Sequence, residues 1–168
     1  MILSPKNAAS GTTLIEATIA ACTSALFLSS LFAMNMTAMK TIRTAREAAS
    51  ASQVLQQRIE SMRIANWHQI TNADWVNNNL LSSNAAGSEG LKQMSETLTL
   101  IPYGSSTVGN TQLVRTAGAT TIVNRNSALL GESALKVIWT VVYNGGGNAQ
   151  STTRQTVAIL AKGGVAKW

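Results

Sequence analysis

The sequence predicts an α+β chain in which one long N-terminal helix precedes, and is packed by, a small antiparallel β-sheet. Three observations carry this. No Gly or Pro occurs between Thr12 and Trp67, so nothing in that stretch breaks a helix. Near the C-terminus, Leu135, Val137, Trp139, Val141 and Tyr143 alternate with other residues, and Gln155, Val157, Ile159 and Ala161 alternate in a second run. The Gly-rich stretch 144–151 between them makes the pair a β-hairpin. Finally, the composition shifts after Trp67 towards Asn, Ser, Thr and Gly. An antiparallel sheet with one apolar face has to bury it, and the helix offers the matching surface.

Taken in chain order, residues 1–11 ("MILSPKNAASG") read as a short polar leader with one cation, Lys6. Residues 12–39 form the first half of the helix. Their only ionisable side chains are Glu16 and Cys22. A helix of this length rises ~42 Å, against a hydrocarbon thickness of ~30 Å, so it can cross a membrane with some tilt. A secretory signal has an apolar stretch of only ~7–15 residues followed by a small-residue cleavage site, and this run is longer. Lys40, Arg43 and Arg46 follow it. By themselves those cations would put the C-terminal side in the cytoplasm.

Residues 40–66 continue the helix to about residue 65 with amphipathic character. Ala48, Leu55, Ile59 and Met62 fall on one apolar stripe. Arg43 and Glu47 are an i,i+4 pair and Glu60 and Arg63 an i,i+3 pair, each contributing a few tenths of a kcal/mol. Residues 67–168 form the second domain. Residues 72–90 read as a loop, dense in Asn, Ser and Gly. Strands are expected over 97–101, ended by Pro102, over 112–115 and 120–124, and in the hairpin. Val137, Trp139 and Val141 are expected to pack on Leu55, Ile59 and Met62.

The charge pattern narrows the function classes. Charged residues make up 12% of the chain and the formal net charge is +6, but the cations are scattered and not interleaved with aromatics. That argues against a nucleic-acid surface; if one exists, Arg115, Arg125 and Arg154 are its candidates. His68 is the only histidine, and the single cysteine lies in the apolar run, so neither a metal site nor a disulfide framework is called for. "NGGGN" (144–148) lacks the Lys-Ser/Thr and the following helix of a phosphate cradle. No nucleophile, base and acid stand in a recognisable pattern, so neither catalytic residues nor a cofactor is expected.

The stretch "SGTTLIEATIA" resembles the N-terminus of type IV pilins and type II secretion pseudopilins: a short basic leader, a Gly, then a start similar to Phe-Thr-Leu-Ile-Glu. Thr13, Leu14, Ile15 and Glu16 occupy the family's positions. The departure is Thr12, where the family usually has Phe. The resemblance implies that a prepilin peptidase cuts between Gly11 and Thr12 and methylates the new amino terminus. It implies a single-pass inner-membrane protein with a periplasmic C-terminal domain, assembled with other subunits by an inner-membrane platform into a filament. In that packing Glu16 would pair with the α-amine of a neighbouring subunit's Thr12; the alternative is pairing with the amine of its own chain. The absence of a cysteine pair in the C-terminal domain points to a minor pilin or pseudopilin. The alternatives are a membrane-anchored module that binds DNA or another surface, and a signal-anchored enzyme.

Overall fold

The computed structural model describes residues 14–104, 109–145 and 151–163. Its first element, α1 (Leu14–Ile64), is a helix of 51 residues, unbroken as the lack of Gly and Pro predicts. The chain divides into two units, one ending at Ile42 and one beginning at Arg43. In the first unit every described residue is solvent-exposed.

The second unit is built around the remaining part of α1. Glu47, Ala51, Val54, Leu55, Arg58, Ile59 and Met62 are its buried residues, spaced by three and four so that they share one face. Leu55, Ile59 and Met62 stand where the stripe predicts, and Ala48 is half-buried beside them.

Five strands form one antiparallel sheet in the order β3-β2-β1-β4-β5: β1 (Lys92–Pro102), β2 (Thr111–Thr116), β3 (Ala119–Asn124), β4 (Ala134–Asn144) and β5 (Ser151–Ala161). Leu98 and Leu100 of β1, Leu113 of β2, and Leu135, Val137, Trp139, Val141 and Tyr143 of β4 are buried in one cluster with Val54, Leu55, Ile59 and Met62. The expected packing of helix on sheet is thus the core of this unit. β2 and β3 are joined through Ala117 and Gly118, with φ of 51° and 84°. Two positive φ values at the centre of a two-residue hairpin give the turn the right-handed twist of its strands.

Two expectations are corrected. β1 begins at Lys92, five residues before the expected start; its first half is polar, and its register on β4 shifts between Lys92 and Ser95, so no clean alternation marks it. Residues 72–90 are not a plain loop. They contain α3 (Ala73–Trp75), which follows a short α2 (Trp67–Ile70), then a π-helical segment Val76–Leu81 and a 3-10 turn Ser88–Gly90. The Asn72 side chain starts α3 by accepting the Asp74 and Trp75 amides at 2.9 and 3.3 Å, so the asparagine that reads as loop is a cap. Val76, Leu80, Leu81 and Ala85 are buried in the core.

The sequence leaves open which phase of β5 faces the helix, and its pairing to β4 decides it. Trp139 lies opposite Thr156, Val137 opposite Ala158 and Leu135 opposite Leu160. Neighbouring residues on paired strands share a face, so Thr156, Ala158 and Leu160 take the inner side. Gln155, Val157, Ile159 and Ala161 face outward, and all four are exposed. The hairpin loop runs between Asn144 and Ser151 as expected; its residues 146–150 lie outside the described residues.

The segment leading into β1 crosses α1 closely. Gly87 has φ +90°, and a Cβ there would stand 3.0 Å from the Ser50 carbonyl oxygen. Only glycine provides both the left-handed conformation and the clearance.

Candidate functional site

The candidate site is the first part of α1. From Leu14 to Met39 the helix carries Glu16 as its only charged residue. Large apolar side chains protrude on all sides: Leu14, Ile15, Leu26, Phe27, Phe32, Met34, Met36 and Met39 are all exposed. By length and composition this helix can cross a membrane. Its polar groups are largely internalised. The hydroxyls of Thr18, Thr23, Ser29 and Thr37 donate to the carbonyls four residues before them at 2.8–3.0 Å, and Ser30 donates to the Phe27 carbonyl at 2.7 Å. Such back-bonding satisfies a hydroxyl in an apolar medium. Cys22 is exposed on the same helix.

Glu16 lies in the first turn of α1, where the partial positive charge of a helix start favours an acid. The carboxylate and the apolar surface therefore sit on one rigid element. Lys6, Gly11 and Thr12, where the resemblance would place the leader cation and the cleavage site, lie outside the described residues.

The second unit holds a cluster that the sequence reading does not contain. Glu96 on β1 is fully buried between two buried arginines. Arg58 on α1 donates from Nε to Glu96 Oε2 and from Nη2 to Oε1, both at 2.9 Å. Arg115 on β2 donates from Nη1 to the same Oε1 at 2.9 Å. Arg58 also donates to the Leu80 carbonyl, and to the Ser83 carbonyl at 2.9 Å, and Arg115 to the Asn84 side-chain oxygen. The Arg58 guanidinium lies 5.9 Å from the centre of the Trp139 ring, within range of a cation–π contact. One carboxylate thus ties the helix, two strands and the 80–84 segment together. The local signal was phase: Arg58 falls on the apolar stripe of α1, Glu96 is in phase with Leu98 and Leu100, and Arg115 with Leu113.

These positions bear on the binding alternatives. Arg115, a candidate for a nucleic-acid surface, is buried against Glu96 and unavailable to a polyanion. Arg125 is exposed but bonded to Asp74, its Nη2 donating to Oδ1 at 2.6 Å. That hydrogen bond holds the Asp74 carboxyl below its ordinary range against an opposing effect of desolvation, with direct charge attraction to Arg125 adding a smaller lowering. Arg154 is exposed. His68 lines a groove between the end of α1 and β5, whose described lining contains Met62, Arg63, Trp67 and Ile159 but no acid. Among the described residues no three His, Cys, Asp or Glu side chains converge.

No protein-family model, curated protein or solved structure matches this chain.

Proposed function

We propose that this chain is a prepilin-like structural subunit, a minor pilin or pseudopilin, of a type IV pilus or type II secretion filament. It is processed by a prepilin peptidase between Gly11 and Thr12. It is held in the inner membrane by the apolar part of α1, with the C-terminal domain in the periplasm, and is assembled with other subunits through that helix. It performs no chemistry of its own.

The observation that carries the reading is the exposed apolar half of α1 with its lone carboxylate. Such a surface requires lipid or other helices around it. Small residues on it, including Ala17, Ala20, Ala21 and Ala25, suit close helix approach. A carboxylate in hydrocarbon costs several kcal/mol, of order 3 on insertion scales, unless it is paired. Glu16 lies in the first turn of α1, four residues after Thr12, whose amine cleavage after Gly11 would create. In a staggered bundle of such helices it meets a neighbour's amine only in the correct register, and misaligned packing forfeits that ion pair.

The test is Glu16→Ala in a cell that carries a filament assembly system. The variant is expected in the membrane fraction at the wild-type level and reduced on the order of tenfold in sheared or cross-linked filaments, the effect of about 1.4 kcal/mol in assembly. Incorporation at the wild-type level would refute the register role.

A further inference from the structure

The groove between the end of α1 and β5 has apolar residues on both walls. Ile64, Trp67 and Ile70 stand on one wall, Ile159 and Leu160 on the other. Ile70 is buried, and Trp67 and Leu160 pack partly against the core. Ile64, however, is 84% exposed and Ile159 55%. Apolar side chains facing each other across a concave surface mark a place that something covers. Charge does not select the cover. Among the described residues the lining carries His68 and Arg63, and Arg63 is bridged to Glu60 at 2.7 Å.

The course of the chain supplies the occupant. The Lys162 amide donates to the Ser133 carbonyl at 2.7 Å, which fixes the end of β5. Gly163 follows with φ +108°, a left-handed conformation that turns the chain off the line of the strand. Gly163 is itself part of the groove's lining. The next five residues, 164–168, read "GVAKW" and lie outside the described residues. Five residues reach at most about 17 Å, whereas β3, four strand spacings across the sheet from β5, is about 19 Å away. We propose that residues 164–168 are a strap for this groove, with Val165 and Trp168 covering Ile64, Trp67 and Ile159. A tryptophan brings about 150–250 Å² of largely apolar surface to such a site. Attachment at the groove wall holds the strap there at a local concentration on the order of millimolar, ahead of any free peptide. This inference is independent of the filament reading.

The experiment uses the full chain in lipid nanodiscs with Cys22→Ser removing the native thiol. Ala166→Cys is combined with His68→Cys in the groove, or with Val123→Cys on β3, where the side chain is 59% exposed. Under mild oxidation the 68–166 disulfide is expected to form within one chain at least about tenfold faster than the 123–166 disulfide, because the strap is confined beside residue 68. Adding Val165→Ser and Trp168→Ser is expected to lower the 68–166 rate to that of the control pair. In the parent chain the same two serines are expected to speed amide exchange over residues 66–70 at least about tenfold, while the β1 and β4 amides keep their protection. Equal rates for the two cysteine pairs would overturn the proposal. So would unchanged exchange over residues 66–70, or 68–166 disulfides that join two chains, which would make a second copy the occupant.

Discussion

Replacing Glu96 by Gln tests whether the buried charge cluster is what fixes helix, strands and the 80–84 segment in one arrangement. The carboxylate accepts three N–H groups, two on Oε1 and one on Oε2. A glutamine of the same shape has one acceptor oxygen and one donor nitrogen. Whichever way the amide turns, at least one arginine N–H then faces an N–H instead of an oxygen. Arg58 and Arg115 also lose the only carboxylate they contact while remaining 4% exposed. Breaking a buried ion pair from one side costs roughly 3–5 kcal/mol, and the triad falls in that range because both cations are left without a counter-charge. The assay is urea unfolding of the full chain in micelles, followed by tryptophan fluorescence, with Trp139 reporting from beside Arg58. A loss below about 1 kcal/mol would refute the reasoning, because that is the scale of a solvent-exposed pair. A companion triple variant, Arg58→Met, Glu96→Leu and Arg115→Leu, is expected to recover most of the loss, since apolar replacement of a whole buried ion cluster is often neutral or stabilising by about 1–4 kcal/mol.

Other consequences are local. Gly87→Ala places a methyl 3.0 Å from the Ser50 carbonyl at φ +90° and is expected to cost about 1–3 kcal/mol by the same unfolding assay. Ala117→Asn puts an αL-tolerant residue before Gly118 in a turn that has φ 51° at this position; it is expected to stabilise by about 1 kcal/mol. Asp74 has a lowered pKa in the folded chain, so it binds its proton less readily there than when unfolded. Its contribution is present above the unfolded value of 3.8 and is lost as pH falls through the folded one. An NMR titration of the Asp74 side chain is expected to give a midpoint below 3.8, moving up towards it in Arg125→Ala.

Much of the architecture was legible because it rests on local periodicity. Leu55, Ile59 and Met62 at helical spacing, and Leu135 to Tyr143 at strand spacing, are strong signals, and all are buried. The inner face of β5 is not legible in the sequence because both phases of "QTVAILA" carry apolar residues. Only pairing to β4 decides between Val157–Ile159 and Ala158–Leu160, and as an edge strand β5 has no second neighbour to enforce a polar outer side. Residues 72–90 hid a helical spacing, Val76, Leu80, Leu81 and Ala85, under their asparagines and serines. The Arg58–Glu96–Arg115 cluster was missed for another reason. Its members are 38 and 19 residues apart, and a charged residue on an apolar face is legible from phase, but its partner is not. In the first unit, the exposed apolar helix and the position of Glu16 follow directly from the sequence.

The central claim is that residues 1–11 are a leader and that cutting creates the amine that Glu16 answers. The direct measurement is the intact mass and N-terminal peptide of the chain recovered from membranes after co-expression with a prepilin peptidase. A mature chain that begins at Thr12 is expected in the presence of active peptidase, and an uncut chain that begins at Met1 when the peptidase is inactive. A chain that keeps residues 1–11 beside the active enzyme, or that starts anywhere but Thr12, would contradict it.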